Sequence, residues 1–343
     1  MIGIVYHDEY NKYDLGVDHP LIGDKPRQTM EFFEKKGILH VIKVFKPIKI
    51  SEINLLLVHT PRYIERIKQL SQTGGMLSFD TPVPIGIYDI ARLVTGGTMR
   101  AGEKLFHGFN YMINPLAGFH HASKDNSSGF CFFNDIAVTI EYLRKKFNIK
   151  RFQIIDIDVH HANGTQEIYY DDPSVLKISF HQDGRTLYPG TGSIEKIGRN
   201  SGKGYTVNLP LPPGTGNKSF LTAFNAIIPQ LTYQFNPELI IYQSGVDTHH
   251  SDPLADLKLT FQIYYQLSKK ISELSIETCN KLLVLFGGGY NSLSSVQCYY
   301  NHMCGFMDRT DYFKEKQILD INPEEVKRRI LDLKKLLAPY WSL

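Results

Sequence analysis

Five short apolar runs, each leading into a stretch of helical spacing, constrain this chain more than any other feature. They are FQIIDIDV (152–159), VLKISF (175–180), YTVNLPL (205–211), ELIIYQSG (238–245) and KLLVLFGGG (281–289). Strand-like runs that alternate with helical patterns imply a parallel sheet, because parallel neighbours need a long crossover rather than a tight turn. Several of the runs lack polar alternation, as expected of strands covered on both faces. The reading is an α/β fold with a central, mostly parallel β-sheet flanked by helices. Ile2 to Tyr6 reads as a first strand. Near the other end, Asn322, Pro323 and Glu325 have the form of a capping box with proline at the first helical position. Val326, Ile330, Leu333 and Leu337 then recur at helical spacing, which predicts a closing helix that packs rather than catalyses.

At 343 residues, one large domain and two domains are both open. The Pro/Gly-rich stretch NLPLPPGTGNKSF (208–220) has sheet-like runs on either side and reads as a loop within a domain. The composition, 42% hydrophobic and 21% charged, is that of an ordinary globular chain. No apolar run approaches the roughly 18 residues of a membrane span. The start, MIGIVYHDEY, has no basic region followed by an apolar core, so no signal peptide is expected. Cys131, Cys279, Cys298 and Cys304 form no CxxC pair and no disulfide framework, which fits a reducing cytoplasm. Formal charge is +3, and the short basic groups KKF (145–147) and KRR (327–329) read as solvated helix faces, so direct nucleic-acid binding is not expected.

The segment IIDIDVHHANG (154–164) ends an apolar run in two carboxylates and two imidazoles. In an extended chain, Asp156, Asp158 and His160 share one face while Ile155, Ile157 and Val159 share the other. Two neighbouring carboxylates at a buried strand end cost several kcal/mol unless a cation, donor or proton compensates them. A metal that accepts mixed oxygen and nitrogen donors, such as Zn²⁺, meets that demand, and so does a hydrogen-bonded core network. Polar residues gather at other strand ends too: Asp247 in SGVD, Tyr290 after GGG, and His120 and His121 in the loop GFHHASKDNSSGFCFFND (118–135). Singly, these have bland readings: an incidental histidine pair, a helix N-cap, a turn. Together they supply a Lewis-acid site, a base and an oxyanion donor, the parts a hydrolytic site needs.

With HHASKDNSSGFCFFND, IIDIDVHHANGTQ, ISFHQDGRTLYPGTG, SGVD and GGGYN in this order, the chain resembles the zinc-dependent histone deacetylases and their bacterial deacetylase relatives. Weaker similarity reaches back to DKPR (24–27) and SFDTPV (78–83). The resemblance implies the arginase/deacetylase fold, a single catalytic domain over 1–343, and hydrolysis of the acetamide of N-ε-acetyl-lysine in proteins. It implies Asp158, His160 and Asp247 as ligands of one catalytic zinc, His121 as general base and acid, and His120 as its companion supported by Asp156. Asn163 falls where some members have a carboxylate and others asparagine, and Tyr290 matches the oxyanion donor. Phe130 and Tyr188 match the walls of an acyl-lysine tunnel, and Asp80 a rim carboxylate that holds substrate backbone. Oxygens of Asp156, Asp158, His160, Ser179 and Phe180 resemble a structural potassium site. Leu254 stands where acetylpolyamine-selective members place a glutamate.

Three departures accompany the resemblance. LAGF precedes the histidine pair where a run ending in glycines is usual, and Phe286 replaces a glycine before GGGY. Ala162 takes the place of the last Asp in the DxHxD of the related arginases, which argues for one metal. An acetylpolyamine amidohydrolase and a catalytically weak acyl-lysine binder remain as other readings. Retention of Tyr290 speaks against the binder.

Overall fold

The structure is a computed structural model that describes residues 1–16, 19–21 and 23–343. Its strands are β1 (Ile2–Val5), β2 (Lys43–Phe45), β3 (Gly75–Ser78), β4 (Thr81–Val83), β5 (Tyr111–Asn114), β6 (Phe152–Asp156), β7 (Val175–Gln182), β8 (Thr206–Leu211), β9 (Leu239–Gln243) and β10 (Leu282–Leu285). Its helices are α1 (Lys25–Lys35), α2 (Glu52–Leu55), α3 (Pro61–Thr73), α4 (Ile87–Lys104), α5 (Asp135–Phe147), α6 (Asn163–Ile168), α7 (Asn217–Phe235), α8 (Phe261–Glu277), α9 (Ser292–Met307) and α10 (Pro323–Leu337).

Eight strands hydrogen-bond in the order β2-β1-β5-β10-β9-β6-β7-β8, and β3 pairs with β4 in a separate ribbon. β1 runs parallel to β2 and β5, β6 to β7 and β9, and β7 to β8. This is the expected α/β architecture. All five apolar runs supply strands of this sheet, and β6, β7 and β9 are buried at every residue, as double-sided cover requires. Strand ends differ from expectation: β6 stops at Asp156, β9 at Gln243 and β10 at Leu285. The polar residues of interest therefore lie in the loops that follow.

The chain divides into two compact units. The first comprises Met1–Lys150, Ala162–Ile168 and Leu283–Gly287. In it α4 packs on α5, β1 and β5 around Ile4, Val5, Met112 and Ile113, which are fully buried. Asn134 caps α5 by accepting from Ala137 N–H (2.9 Å), and its amide donates to the Ala122 carbonyl and to Thr165 Oγ1. One side chain thus starts a helix and fixes the chain just past the histidine pair. Phe286 is buried with its ring against Phe33, so its bulk fills core.

The second unit comprises Arg151–His161, Tyr169–Leu282 and Gly288–Leu343. Here α8 packs on α9, and α10 packs on α7 and β8. The closing helix forms as expected, with Val326, Ile330, Leu333 and Leu337 buried, but the capping box does not. Asn322 makes no cap; its amide donates instead to the Pro213 carbonyl, and Glu325 pairs with Arg329. Nor is KRR uniformly a solvated face. Arg329 is buried, donating to the Pro210 carbonyl (2.7 Å) and pairing with Asp183 (2.8 Å). Among the described residues, no helix is long and apolar enough to cross a membrane.

Candidate active site

In the second unit, the chain beyond β6 is folded by its own carboxylates. Asp156 Oδ1 accepts from Asp158 N–H and Asp158 Oδ1 from His160 N–H, both at 3.0 Å. These are the local turns that aspartate favours. The grouping expected from strand alternation is therefore produced past the strand end by turns rather than by pleating. The loop after β9 brings Asp247 to the same place. His160 Nδ1 lies 3.2 Å from Asp158 Oδ1 and 3.1 Å from Asp247 Oδ2. Asp158, His160 and Asp247 are all buried, and each offers one donor atom within 4.8 Å of the others.

Backbone and amide donors orient the two carboxylates. Asp158 Oδ2 accepts from Gln243 Nε2 (3.1 Å) and Gly288 N–H (3.0 Å), and Asp247 Oδ1 accepts from Val159 N–H (2.9 Å). The GGG before Tyr290 is thus more than a turn: a Cβ at Gly288 would sit 2.0 Å from Asp247 Oδ2. Burial alone would lower the His160 pKa, but its hydrogen bonds to Asp158 and Asp247 outweigh that and raise it to about 10. Burial, then the charge of Asp158, pushes Asp247 up to about 8. Two buried carboxylates and an imidazole converging in this way fit a divalent ion of the zinc type.

Tyr290 is held by its backbone N–H on Asp252 Oδ2 (2.7 Å). The His160 ring centroid lies 6.3 Å from that of Tyr290 and 6.2 Å from that of Tyr188. The metal-type cluster, Tyr290 and Tyr188 are therefore brought together. The Tyr188–Pro189 peptide is cis. Leu254, half-buried, donates its N–H to Asp252 Oδ1 (3.0 Å), so Asp252 ties both segments. Ser179 and Phe180 are buried on β7, where Ser179 Oγ meets His181 Nδ1 (2.9 Å) and Phe180 packs on Phe220.

In the first unit, His120 and His121 are buried with their Nε2 atoms 3.1 Å apart. His121 Nδ1 lies 2.6 Å from Asn163 Oδ1. The amide oxygen can only accept, so Nδ1 carries the proton and Nε2 is left as the basic nitrogen. Asp135 sets the turn into the pair by accepting from Gly118 N–H (3.1 Å) and Phe119 N–H (2.8 Å). Asp80 lies just after β3 at the tip of the ribbon. Its Oδ2 accepts from Gly129 N–H (2.9 Å), and its Oδ1 accepts from Ser78 Oγ and Thr81 Oγ1. It is thereby joined to the backbone beside Phe130, whose ring lies 4.4 Å from that of His19.

Sequence reasoning passed over Gln243, Gly288, Asp252, Asp135 and His19. Asp135, Gln243 and Gly288 stand within quoted segments, but nothing in their spacing marks the groups they hold.

Comparison with known proteins supplies the family. The family described as "Histone deacetylase domain" matches residues 19–306. A "Probable deacetylase" of Archaeoglobus fulgidus is 35% identical, over 99% of this chain and 98% of the relative. The "Acetoin utilization protein AcuC" of Bacillus subtilis is 34% identical, over 84% of this chain and 77% of the relative. Among solved structures, "Crystal Structure of HDA15 HD domain" superimposes with a TM-score of 0.87 at 26% identity, covering 99% of this chain and 95% of that one. The chain belongs to the histone deacetylase family. It is an enzyme of the amidohydrolase class, a deacetylase.

Proposed function

We propose that this deacetylase hydrolyses the acetamide of N-ε-acetyl-lysine in protein substrates with one catalytic zinc, releasing acetate. The observation that carries the reading is the buried donor set of Asp158, His160 and Asp247, with Ala162 in place of a further acid that a second metal would need. When bound there, zinc supplies Lewis acidity to the amide carbonyl and to the attacking water. His121 Nε2 takes the water proton and later delivers a proton to the departing lysine nitrogen, while the Asn163 bond keeps Nδ1 protonated. His120 is its companion and Asp156 the supporting carboxylate. The Tyr290 hydroxyl donates to the developing oxyanion. Phe130 and Tyr188 offer aromatic surface to the lysine methylenes. Asp80 keeps acceptor capacity beyond its three hydrogen bonds, since a carboxylate has about four lone-pair sites.

The same reading takes residues 1–343 as one catalytic domain, supported by the single eight-strand order and the family match. It places the enzyme in the cytoplasm, in keeping with free thiols at Cys131, Cys279, Cys298 and Cys304. A structural potassium bound by oxygens of Asp156, Asp158, His160, Ser179 and Phe180 belongs to it by resemblance. Lys177 is buried on β7, where burial lowers its pKa to about 7 against the opposing pull of the Asp156 charge.

The alternative substrate is an acetylated polyamine, and relatives named for acetoin utilization keep non-protein substrates in the test. Leu254 favours protein lysine, because an apolar side chain gives nothing to a substrate with additional ammonium groups. The experiment compares kcat/KM of the zinc-loaded enzyme for an acetyl-lysine peptide, longer acyl-lysine peptides and acetylspermidine. The acetyl-lysine peptide should lead. Leu254→Glu should raise the acetylspermidine-to-peptide ratio about tenfold, as expected for a carboxylate about 5 Å from an ammonium after screening, with the gain shrinking as salt rises. An unmodified enzyme that prefers acetylspermidine would hand the assignment to the polyamine reading.

A further inference from the structure

A second group of ligating side chains lies in the second unit, apart from the donors already described. His249 and His250 lie in the loop between β9 and α8, and Glu315 belongs to the irregular segment between α9 and α10. Their donor atoms lie within 4.8 Å of one another. His249 Nε2 is 2.9 Å from Glu315 Oε1, and His250 Nε2 is 3.1 Å from Glu315 Oε2. Two imidazoles thus aim the same ring nitrogen at one carboxylate 65 to 66 positions further along the chain.

We propose that His249, His250 and Glu315 form a second, structural metal site for a divalent ion of the zinc class. Two imidazole nitrogens and one carboxylate oxygen make a donor set that such ions accept. The 3.1 Å between His250 Nε2 and Glu315 Oε2 is close to the roughly 3.3 Å edge of a tetrahedron whose metal–ligand bonds are about 2.0–2.1 Å, and all three donors lie within 4.8 Å of one another. Metal-free, each Nε2 carries a proton and donates to Glu315. Ligation needs the Nε2 lone pair, so each imidazole must move its proton to Nδ1.

The surroundings of His249 accommodate both tautomers. Ser251 offers its N–H to Nδ1 as a donor (3.3 Å) and its hydroxyl oxygen as an acceptor (2.9 Å), while that hydroxyl donates onward to Ser294 Oγ. A ligating histidine held through its other nitrogen in this way has its ring orientation fixed. Glu315 is prepared similarly. Phe261 N–H donates to Oε1 (2.9 Å), which anchors the carboxylate and lets Oε2 face the metal. His249 is nearly enclosed, whereas the His250 and Glu315 side chains are 29% and 25% exposed, which gives an ion a way in and water a fourth position. An ion here would clamp the segment around Glu315 to the segment that carries Asp252, and Asp252 accepts the Tyr290 N–H.

The test titrates the full-length, metal-stripped protein with Zn²⁺ against a competing chromophoric chelator and repeats the titration with Co²⁺, reading its visible ligand-field bands. Wild type should bind two equivalents of Zn²⁺, the second raising the melting temperature. His250→Ala and Glu315→Gln should each bind one, with the second affinity weakened by more than the roughly 10- to 100-fold that loss of an outer-shell partner costs. His160→Ala should lose the other equivalent and retain this one. His250 is partly exposed, so its removal leaves the core intact, and Glu315→Gln keeps the side-chain shape should the alanine variant fold poorly. A wild type that stops at one equivalent which His160→Ala removes, or a second equivalent that survives both His250→Ala and Glu315→Gln, overturns the proposal.

Discussion

Replacing Tyr290 by phenylalanine removes one hydroxyl and little else, since the residue is held by its backbone N–H on Asp252 and its ring stands beside His160. Under the proposed mechanism, turnover should fall roughly 10²- to 10³-fold, the usual cost of one oxyanion donor, while zinc content stays constant. His121→Ala should be at least as damaging. Single-turnover kinetics with a metal assay on the same samples separates the two effects, and near-normal turnover in both variants would remove these roles. The residue scale is also where sequence reading reached furthest. That Asp158, His160 and Asp247 gather, with Tyr290 beside His160, was legible from residue type and order, because such polar residues at successive strand ends meet at one edge of a parallel sheet.

Elements carry constraints of a different kind. Helices α8 and α9 approach at Gly305, where a Cβ would meet the Tyr265 carbonyl at 2.5 Å and Ser268 Cβ at 2.7 Å. Backbone cannot yield as a side-chain end does, so Gly305→Ala should destabilise by about 1–3 kcal/mol, read in urea unfolding. An unchanged midpoint would mean that the helices separate without strain.

Helix α10 is tied through Arg329 to Asp183, just past β7. Burial alone would raise the Asp183 carboxyl, but Arg185 and Arg329 hold it well below the usual carboxylate range. Because the folded value lies below the unfolded one of about 3.9, the unfolded chain binds this proton first as pH falls. The contribution is complete above about pH 5 and is lost as acid titrates the folded carboxylate. Asp183→Asn should therefore shrink the stability difference between about pH 7 and about pH 3, measured by denaturant unfolding. An identical difference in both proteins would show that other carboxylates govern acid sensitivity.

For the molecule as a whole, the proposed metal site makes ion binding depend on the fold. His160 and Asp247 lie 87 positions apart, so their donors converge only when β6 and β9 are assembled. An ion held there binds the folded chain and not the unfolded one. Zinc at about 100 times its dissociation constant should add about 2.7 kcal/mol to stability. Chelation should abolish hydrolysis and lower the melting temperature, and calorimetry with and without zinc checks both the stability change and its loss in Asp247→Asn. A melting temperature indifferent to zinc would disconnect the cluster from metal.

The sequence by itself determined β1 and β6 to β10, though not their ends, and named the candidate donors; β2 to β5 it left unread. Apolar runs buried on both faces are a local property of β6, β7 and β9, and the carboxylates and imidazoles are named by their letters. Tertiary structure alone decided where β6 stops, which amides orient Asp158, why Gly288 must lack a side chain, and that Arg329 is buried rather than solvated. It also decided that Asn322 forms no cap and that Glu315 meets two histidines. The physical reason is the same in each case. Periodicity encodes which face a residue occupies, whereas hydrogen-bond partners and close approaches are supplied by segments distant in the chain, and no local pattern records them.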